Sequence, residues 1–199
     1  MHEQKRPVRS ELIAARAQLS PVERDERSAR IANRVEGIPG FREAKVLALY
    51  APIGTEVDVT PLALRARARG VRLAYPRIVL GERRLAYAEA DPERLVPGAR
   101  GTLEPPPDAP AIPLSEIECA IVPGVGFSRD GYRLGRGGGH YDASLAAMPR
   151  ALRIGVAFDV QVVAALPREP HDEPLDALAT DGRVLLFSRL PPAPGANPT

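Results

Sequence analysis

Apolar residues recur every three or four positions near the start of the chain. Over residues 3–37 this spacing predicts two helices. The second opens with Ser20-Pro21-Val22-Glu23. A serine followed three residues later by glutamate is a capping-box pattern, and proline fits the first helical position. We expect Gly37 to mark the end of the second helix.

Short apolar runs bounded by glycine, proline or charged residues follow these helices and predict strands. The predicted strands are residues 46–50, 71–75, 84–88, 117–122, 153–158, 175–179 and 184–187. The predicted helices between them are residues 60–69, 139–147 and 160–166, the first capped by Thr60-Pro61. The proline-rich stretch 91–113 is predicted to be irregular.

Strands that alternate with helices predict an α/β fold, an open sheet with helices on both faces. We expect one domain over residues 1–190 and a disordered tail over residues 191–199, which contain four prolines. Ligands of such sheets bind beyond the carboxyl ends of the strands. The loops after residues 46–50 and 117–122 lie at that edge, so we predict one shared site.

Composition narrows the classes of function. The 199 residues carry a net charge of +2 with both signs interspersed, which argues against a general nucleic-acid binder. A single cysteine, Cys119, excludes an intramolecular disulfide and a cysteine-based metal cluster. The polar amino terminus has no signal-like stretch and no run reaches transmembrane length, so we expect a cytoplasmic protein without membrane contact.

A glycine-rich loop follows the predicted strand 117–122 and contains two arginines, Arg133 and Arg136. Its last glycines are Gly135, Gly137, Gly138 and Gly139, and Asp142 follows at the start of a predicted helix. Glycines let backbone N–H groups approach a phosphate, arginines supply forked donors, and a carboxylate can hold the accompanying metal ion. The loop lacks the Gly-Lys-Ser/Thr ending of a P-loop. A flexible surface loop is the alternative.

Charged residues elsewhere extend this hypothesis. Lys5 and Arg9 are one helical turn apart and can grip phosphates, although solvated surface charges are the alternative. Glu56 follows a predicted strand in a turn, where it either points into the crevice or is solvated.

His171 and Asp172 resemble a fragment of a hydrolytic triad, but no nucleophile elbow exists in the chain. Asp176 could meet Asp142 across the loop and share a Mg²⁺ ion with it.

The chain resembles the 5-formyltetrahydrofolate cyclo-ligases, also called methenyltetrahydrofolate synthetases, from Lys5 to about Phe187. The family's glycine-loop signature is matched at Pro123, Gly124, Phe127, Gly131, Arg133, Leu134, Gly135, Gly137, Gly139, Tyr141 and Asp142. Further matches are Lys5 and Arg9, Glu56-Val57-Asp58, Gln161, Leu166-Pro167, His171-Asp172 and Leu175-Asp176. Matches at four separated places in the right order make the resemblance specific.

The resemblance implies a three-layer α/β/α fold with a mostly parallel sheet. It also implies an ATP- and Mg²⁺-dependent conversion of 5-formyltetrahydrofolate to 5,10-methenyltetrahydrofolate, with release of ADP and phosphate. The implied nucleotide-binding residues are Lys5, Arg9, Arg133, Gly135, Gly137, Gly138, Gly139 and Asp142. The implied catalytic residues are Arg136, His140 and Tyr141, the substrate-binding residues are Tyr50, Glu56, Arg136 and His140, and the metal ligands are Asp142 and Asp176.

Three departures from the family pattern keep an alternative open. Ser128 replaces the usual aspartate, His140 replaces the usual tyrosine, and neither Gly138 nor Ala143 supplies a basic residue common in the family. The alternative is a catalytically impaired relative that binds nucleotide or folate, and an RNA-binding role of the Arg-Gly-Gly-Gly stretch is a weaker one. We expect a monomer whose partner is the folate, with or without a polyglutamate tail, and no nucleic acid.

Overall fold

The computed structural model describes residues 2–98 and 101–187. The predicted tail, residues 191–199, lies outside the described residues. The helices are α1 (His2–Ala17), α2 (Pro21–Val35), α3 (Thr60–Ala68) and α4 (His140–Ala146). The strands are β1 (Val46–Ala48), β2 (Arg72–Arg77), β3 (Ala86–Glu89), β4 (Val96–Pro97), β5 (Leu103–Glu104), β6 (Ala111–Ile112), β7 (Cys119–Val122), β8 (Gly126–Ser128), β9 (Arg133–Leu134), β10 (Leu152–Ala157), β11 (Val162–Val163), β12 (Ala177–Thr180) and β13 (Val184–Leu186).

The predicted capping box is confirmed at the start of α2. The Ser20 hydroxyl accepts the Glu23 N–H at 3.2 Å, and the Glu23 carboxylate accepts the Ser20 N–H at 2.9 Å. Two backbone donors that the helix cannot satisfy internally are therefore paired with side chains. Burial of Ile31 and Val35 shows that the apolar stripe of α2 faces the core.

The main sheet of the described residues has eight strands in the order β13-β12-β10-β7-β1-β2-β3-β6. The strands from β12 to β2 are parallel, and β13, β3 and β6 pair antiparallel at the margins. The mostly parallel sheet predicted from the sequence is thus confirmed, and β7 lies near its centre. The glycine-rich loop follows this central strand directly, at the carboxyl edge where ligands of such sheets bind.

Two apolar cores cover the two faces of the sheet. Because side chains of a strand alternate between faces, Leu47 of β1 belongs to one core and Val46 and Ala48 to the other. The core that contains Leu47 includes the buried apolar residues of α2 and α3, whereas Leu145 of α4 packs in the other. The helices therefore form a layer on each side, as the three-layer prediction requires.

The residues around the glycine loop contain more regular structure than we expected. β8 and β9 form an antiparallel pair, and β11 adds to β8 in parallel with Val162 opposite Phe127. The prediction of a helix over residues 160–166 was wrong, because a 3-10 turn at Asp159–Gln161 leads straight into β11. Tertiary strand pairing overrides the local pattern here.

Two smaller predictions also need correction. The stretch 91–113 is not irregular throughout, because it contains β4, β5 and β6. Thr60 is the first residue of α3 and not its cap, since Val59 precedes the helix without a capping side chain. The Asp58 carboxylate instead accepts the Thr60 N–H at 2.9 Å.

Helix α1 packs over the β8–β9 region and brings its basic residues to the carboxyl edge. Leu12 is buried against Gly126, and a Cβ on that glycine would collide with the leucine side chain. A substitution at Gly126 would therefore force the Leu12 side chain of α1 to move.

Loss of the capping box should destabilise the fold measurably. We expect Ser20→Ala to lower the free energy of unfolding by about 1 kcal/mol, because the Glu23 N–H loses its acceptor. For a domain of this size the melting temperature should fall by about 2–4 °C. Ser10→Ala in α1 is the control, and an equal loss in both variants would contradict a specific role of the box.

Candidate active site

A cavity of about 420 Å³ opens at the carboxyl edge of the parallel strands. Its walls come from α1, the turn after β1, the end of β2, the loop that leads into α4, and residues 102–104 and 169–172. The lining residues are Lys5, Arg9, Tyr50, Ala51, Ile53, Glu56, Pro76, Ile78, Leu85, Thr102, Leu103, Glu104, Pro123, Gly124, Arg133, Leu134, Gly135, Arg136, Gly137, Gly138, Gly139, His140, Tyr141, Asp142, Glu169, His171 and Asp172.

Arg133 and Asp142 hold the two ends of the glycine loop together. A terminal guanidinium nitrogen of Arg133 lies 2.8 Å from the Asp142 carboxylate, and both side chains are largely buried. The guanidinium also lies over the Tyr141 ring, with its central carbon 5.4 Å from the ring centroid. The Nε atom of Arg133 is buried and has no hydrogen-bond partner among the described residues.

Glycine residues of the loop adopt conformations that other residues rarely take. Gly137 has a φ of 111° and Gly139 a φ of 68°, both in the left-handed region. Arg9 of α1 donates from Nε to the Gly135 carbonyl at 2.8 Å, which ties the loop to the first helix. The loop is therefore anchored, in contrast to the flexible surface loop that the sequence left open.

Lys5 is buried and bridges two carboxylates. Its Nζ donates to Glu169 at 2.8 Å and to Asp172 at 2.9 Å. Burial by itself lowers the pKa of Lys5, but the hydrogen bonds to both carboxylates outweigh it and raise the pKa above its ordinary value of 10.5. The hydrogen bond from Lys5 lowers the pKa of Glu169 below its ordinary value of 4.5. The amino-terminal helix is thereby joined to the 169–172 segment.

Glu56 and Arg136 form a second ion pair in the cavity. One carboxylate oxygen of Glu56 accepts from Arg136 Nε at 3.1 Å and from a terminal nitrogen at 2.9 Å. The other accepts the Ile53 N–H at 3.0 Å, so both oxygens are engaged. Tyr50 donates its hydroxyl to the Val57 carbonyl at 2.8 Å, and burial raises its pKa well above the ordinary value of 10.0. Tyr50 therefore stays neutral and braces the turn that carries Glu56.

His140 and Tyr141 begin helix α4 beside the loop. The Nδ1 atom of His140 lies 3.0 Å from the Arg83 carbonyl, which can only accept, so Nδ1 carries a proton in this contact. Among the described residues, the other ring nitrogen has no hydrogen-bond partner, so it can contact a ligand. Burial raises the pKa of Tyr141 well above its ordinary value of 10.0, which makes it a neutral hydroxyl.

All but one of the site residues expected from the sequence line this cavity. The exception is Asp176, which is 4% exposed and accepts the Arg153 N–H at 2.8 Å. It directly precedes β12, so it lies at the amino end of a parallel strand, away from the ligand edge. The expected pairing of Asp176 with Asp142 is therefore not supported.

Asp172, Glu169 and Glu104 are cavity carboxylates that we had not assigned to the site. His171-Asp172 was visible as a motif, but we compared it with a triad fragment instead of an ion-pair partner of Lys5. Oxygen or nitrogen ligand atoms of Glu169, His171 and Asp172 lie within 4.8 Å of one another.

The parallel sheet and the charged, glycine-lined cavity at its carboxyl edge define an α/β enzyme that acts on small molecules. The chain belongs to the 5-formyltetrahydrofolate cyclo-ligase family, whose family model matches residues 1–181. The 5-formyltetrahydrofolate cyclo-ligase of Escherichia coli K12 is 31% identical over 174 residues, which cover 85% of this chain and 96% of that protein.

Solved structures agree with this assignment. The 5,10-methenyltetrahydrofolate synthetase of Aquifex aeolicus superposes with a TM-score of 0.81 at 32% identity and covers 94% of each chain. The synthetase of Mycoplasma pneumoniae gives a TM-score of 0.74 at 26% identity, over 89% of this chain and 98% of that one. In the described part of this chain, the helices are too short or too polar to span a membrane.

The Lys5 cluster should make stability depend on pH. Because the pKa of Glu169 is lowered on folding, its stabilising contribution is present above pH 4.5 and is lost as the pH falls below that value. The raised pKa of Lys5 implies a contribution that is present below pH 10.5 and lost above it. Lys5→Met should therefore destabilise the protein more near pH 7 than near about pH 3.

Urea unfolding of wild type and Lys5→Met at several pH values measures this difference. Lys45→Met, which changes the other lysine of the chain at an exposed position, is the matched control. A destabilisation by Lys5→Met that is the same at both pH values would contradict the ionic account of the cluster.

Proposed function

We propose that the protein cyclises 5-formyltetrahydrofolate to 5,10-methenyltetrahydrofolate in a reaction that consumes ATP and releases ADP and phosphate. The observation that supports this most is the composition of the cavity at the carboxyl edge of the sheet. Arginines and the glycine loop line one part, and the apolar side chains of Pro76, Ile78 and Leu85 line another. A phosphate donor and a flat ring system can therefore meet inside it.

The chemistry requires an oxygen to leave from a formyl group. An amide-like formyl oxygen is a poor leaving group, and transfer of the γ-phosphoryl group to it makes it a good one. N10 of the folate then attacks the formyl carbon and loses its proton, and phosphate departs with the former formyl oxygen. Phosphoryl transfer of this kind depends mainly on positioning and on neutralisation of charge.

Cationic side chains of the cavity supply that neutralisation in our proposal. Arg133 and the backbone N–H groups of the glycine loop hold the nucleotide phosphates, together with Lys5 and Arg9. The Arg136 side chain is 53% exposed, so it can leave its ion pair with Glu56 and bind the γ-phosphate instead. Gly138 and Ala143 lack the basic residue common in the family, and Arg136 takes over that role.

The cavity also fits the Mg²⁺ ion that the reaction implies. Asp142, Glu169 and Asp172 present hard carboxylate oxygens to the same cavity. Magnesium is typically held by one or two carboxylates together with substrate phosphates. We propose Asp142 and Asp172 for this role, in which the ion would neutralise charge on the nucleotide phosphates.

We assign folate binding to the residues around β1 and α4. Glu56 contacts the pterin end once Arg136 moves to the phosphate, and Tyr50 keeps its turn in place. Tyr141 offers a neutral hydroxyl, and His140 offers its free ring nitrogen near the reacting groups. Ser128 donates to Asp130 and accepts the Tyr132 N–H at 3.3 Å, so it shapes the β8–β9 turn in place of the family's aspartate.

The direct test is absorbance at the methenyltetrahydrofolate band. Purified protein, 5-formyltetrahydrofolate and Mg²⁺ should give a rise only when ATP is added. Folded protein that binds ATP or the folate without any rise would support the impaired relative instead. A cytoplasmic location, a monomeric state and acceptance of polyglutamate tails stay predictions.

Asp142→Asn should reduce kcat/KM at least about 100-fold, because it keeps the shape of the side chain but removes the charge, and the loss of the ion pair with Arg133 should also lower the stability of the fold. The same absorbance assay gives the rate, and circular dichroism reports the fold. Asp108→Asn, at an exposed position outside the cavity lining, is the control. Full activity of Asp142→Asn would refute the assignment of this carboxylate.

A further inference from the structure

The short β4–β5 hairpin supplies a wall of the cavity, and Glu104 is its buried carboxylate. Glu104 is 7% exposed and lines the cavity with Thr102 and Leu103. One of its oxygens, Oε1, accepts from the Thr102 hydroxyl at 3.1 Å and from the Ile78 N–H at 3.4 Å. Within the described residues, the second oxygen, Oε2, has no hydrogen bond and no ion pair.

The orientation of this carboxylate is fixed by its surroundings. A Cβ on Gly98 would collide with the Glu104 side chain, so the hairpin leaves room for it only because residue 98 is glycine. Arg77 donates to the carbonyls of Pro105 at 3.2 Å and Pro106 at 2.6 Å, which pins the chain directly after Glu104. A side chain held in this way presents Oε2 in a defined direction.

Glu104 differs from the other carboxylates of the cavity. The cavity's cations already have partners: Lys5 binds Glu169 and Asp172, Arg9 binds the Gly135 carbonyl, Arg133 binds Asp142, and Arg136 binds Glu56. Both oxygens of Glu56 are engaged, whereas Oε2 of Glu104 is open.

The apolar side chains of Pro76, Ile78 and Leu85 also line the cavity. Ile78 is the residue whose N–H group donates to Glu104. Most of the Glu104 side chain is buried, and a ligand N–H group that reaches Oε2 would stabilise its negative charge.

We propose that Glu104 is a specificity-determining residue whose Oε2 accepts a hydrogen bond from the 2-amino group of the substrate's pyrimidine ring. This inference rests on the proposed function, because it takes the folate as the ligand. The apolar side chains cover the faces of the ring, and the carboxylate accepts a hydrogen bond from the edge of the ring that carries the amino group. A site built to accept from a ring N–H strongly disfavours an analogue that lacks it.

Binding measurements on Glu104→Gln test the inference. Glutamine keeps one acceptor for Ile78 and Thr102 but puts an amide donor where the second oxygen was. We expect the Kd for 5-formyltetrahydrofolate, measured by calorimetry without ATP, to rise between about 10- and 100-fold. The Kd for ATP should stay unchanged. Glu43→Gln, an exposed glutamate outside the cavity lining, is the matched control.

A substrate analogue in which a methyl group replaces the 2-amino group allows both proteins to be compared with both ligands. Wild type should bind this analogue weakly, and Glu104→Gln should bind it no more weakly than wild type does. Equal losses for substrate and analogue would overturn the assignment of the 2-amino group, and unchanged binding of both would overturn any role of Glu104. Melting temperatures of the variants separate lost contacts from lost folding.

These outcomes are independent of catalysis. If wild type binds the folate but shows no ATP-dependent turnover, the proposed function fails while the binding comparison still decides the role of Glu104. If turnover is present and Glu104→Gln binds like wild type, the inference fails alone.

Discussion

A buried guanidinium needs a counter-charge, and Asp142 supplies it for Arg133. The position of the glycine loop in the site depends on this ion pair. Arg133 lies on β9 and Asp142 on α4, so their 2.8 Å contact closes the chain into a loop that contains Gly135–Gly139. An unpaired charge at this depth would cost several kcal/mol. The pair thus fixes where the glycine loop is held, and it aims the start of α4 at the cavity.

The same principle extends to the other charges of the cavity. Lys5 is neutralised by Glu169 and Asp172, and Arg136 is neutralised by Glu56. In the proposed function, nucleotide phosphates would compete for these cations, because the cations are already paired within the protein. That exchange would release Glu56 to bind the folate and Asp172 to bind the metal ion. The proposed function therefore couples the binding of the two substrates through shared ion pairs.

Much of this arrangement was visible in the sequence because local rules control it. The capping box at Ser20, the central strand that becomes β7 and the glycine loop with its arginines all follow from short patterns. Two-residue strands such as β5 and β11 are too short to show such a pattern, and they are defined by their pairing with β4 and β8. Glu104 was missed for that reason. The choice between Asp172 and Asp176 depended on the path of the segment before β12, which places Asp172 in the cavity wall and Asp176 at the amino end of the strand, and spacing alone does not reveal this.

The most direct test of the account follows the formyl oxygen. We propose that this oxygen receives the γ-phosphoryl group in the cavity and leaves with it. With 5-formyltetrahydrofolate labelled with heavy oxygen in the formyl group, mass spectrometry of the released phosphate should find one heavy oxygen for each turnover. Unlabelled phosphate formed during cyclisation would contradict direct phosphorylation of the substrate, and with it the proposed meeting of nucleotide and folate in a single cavity.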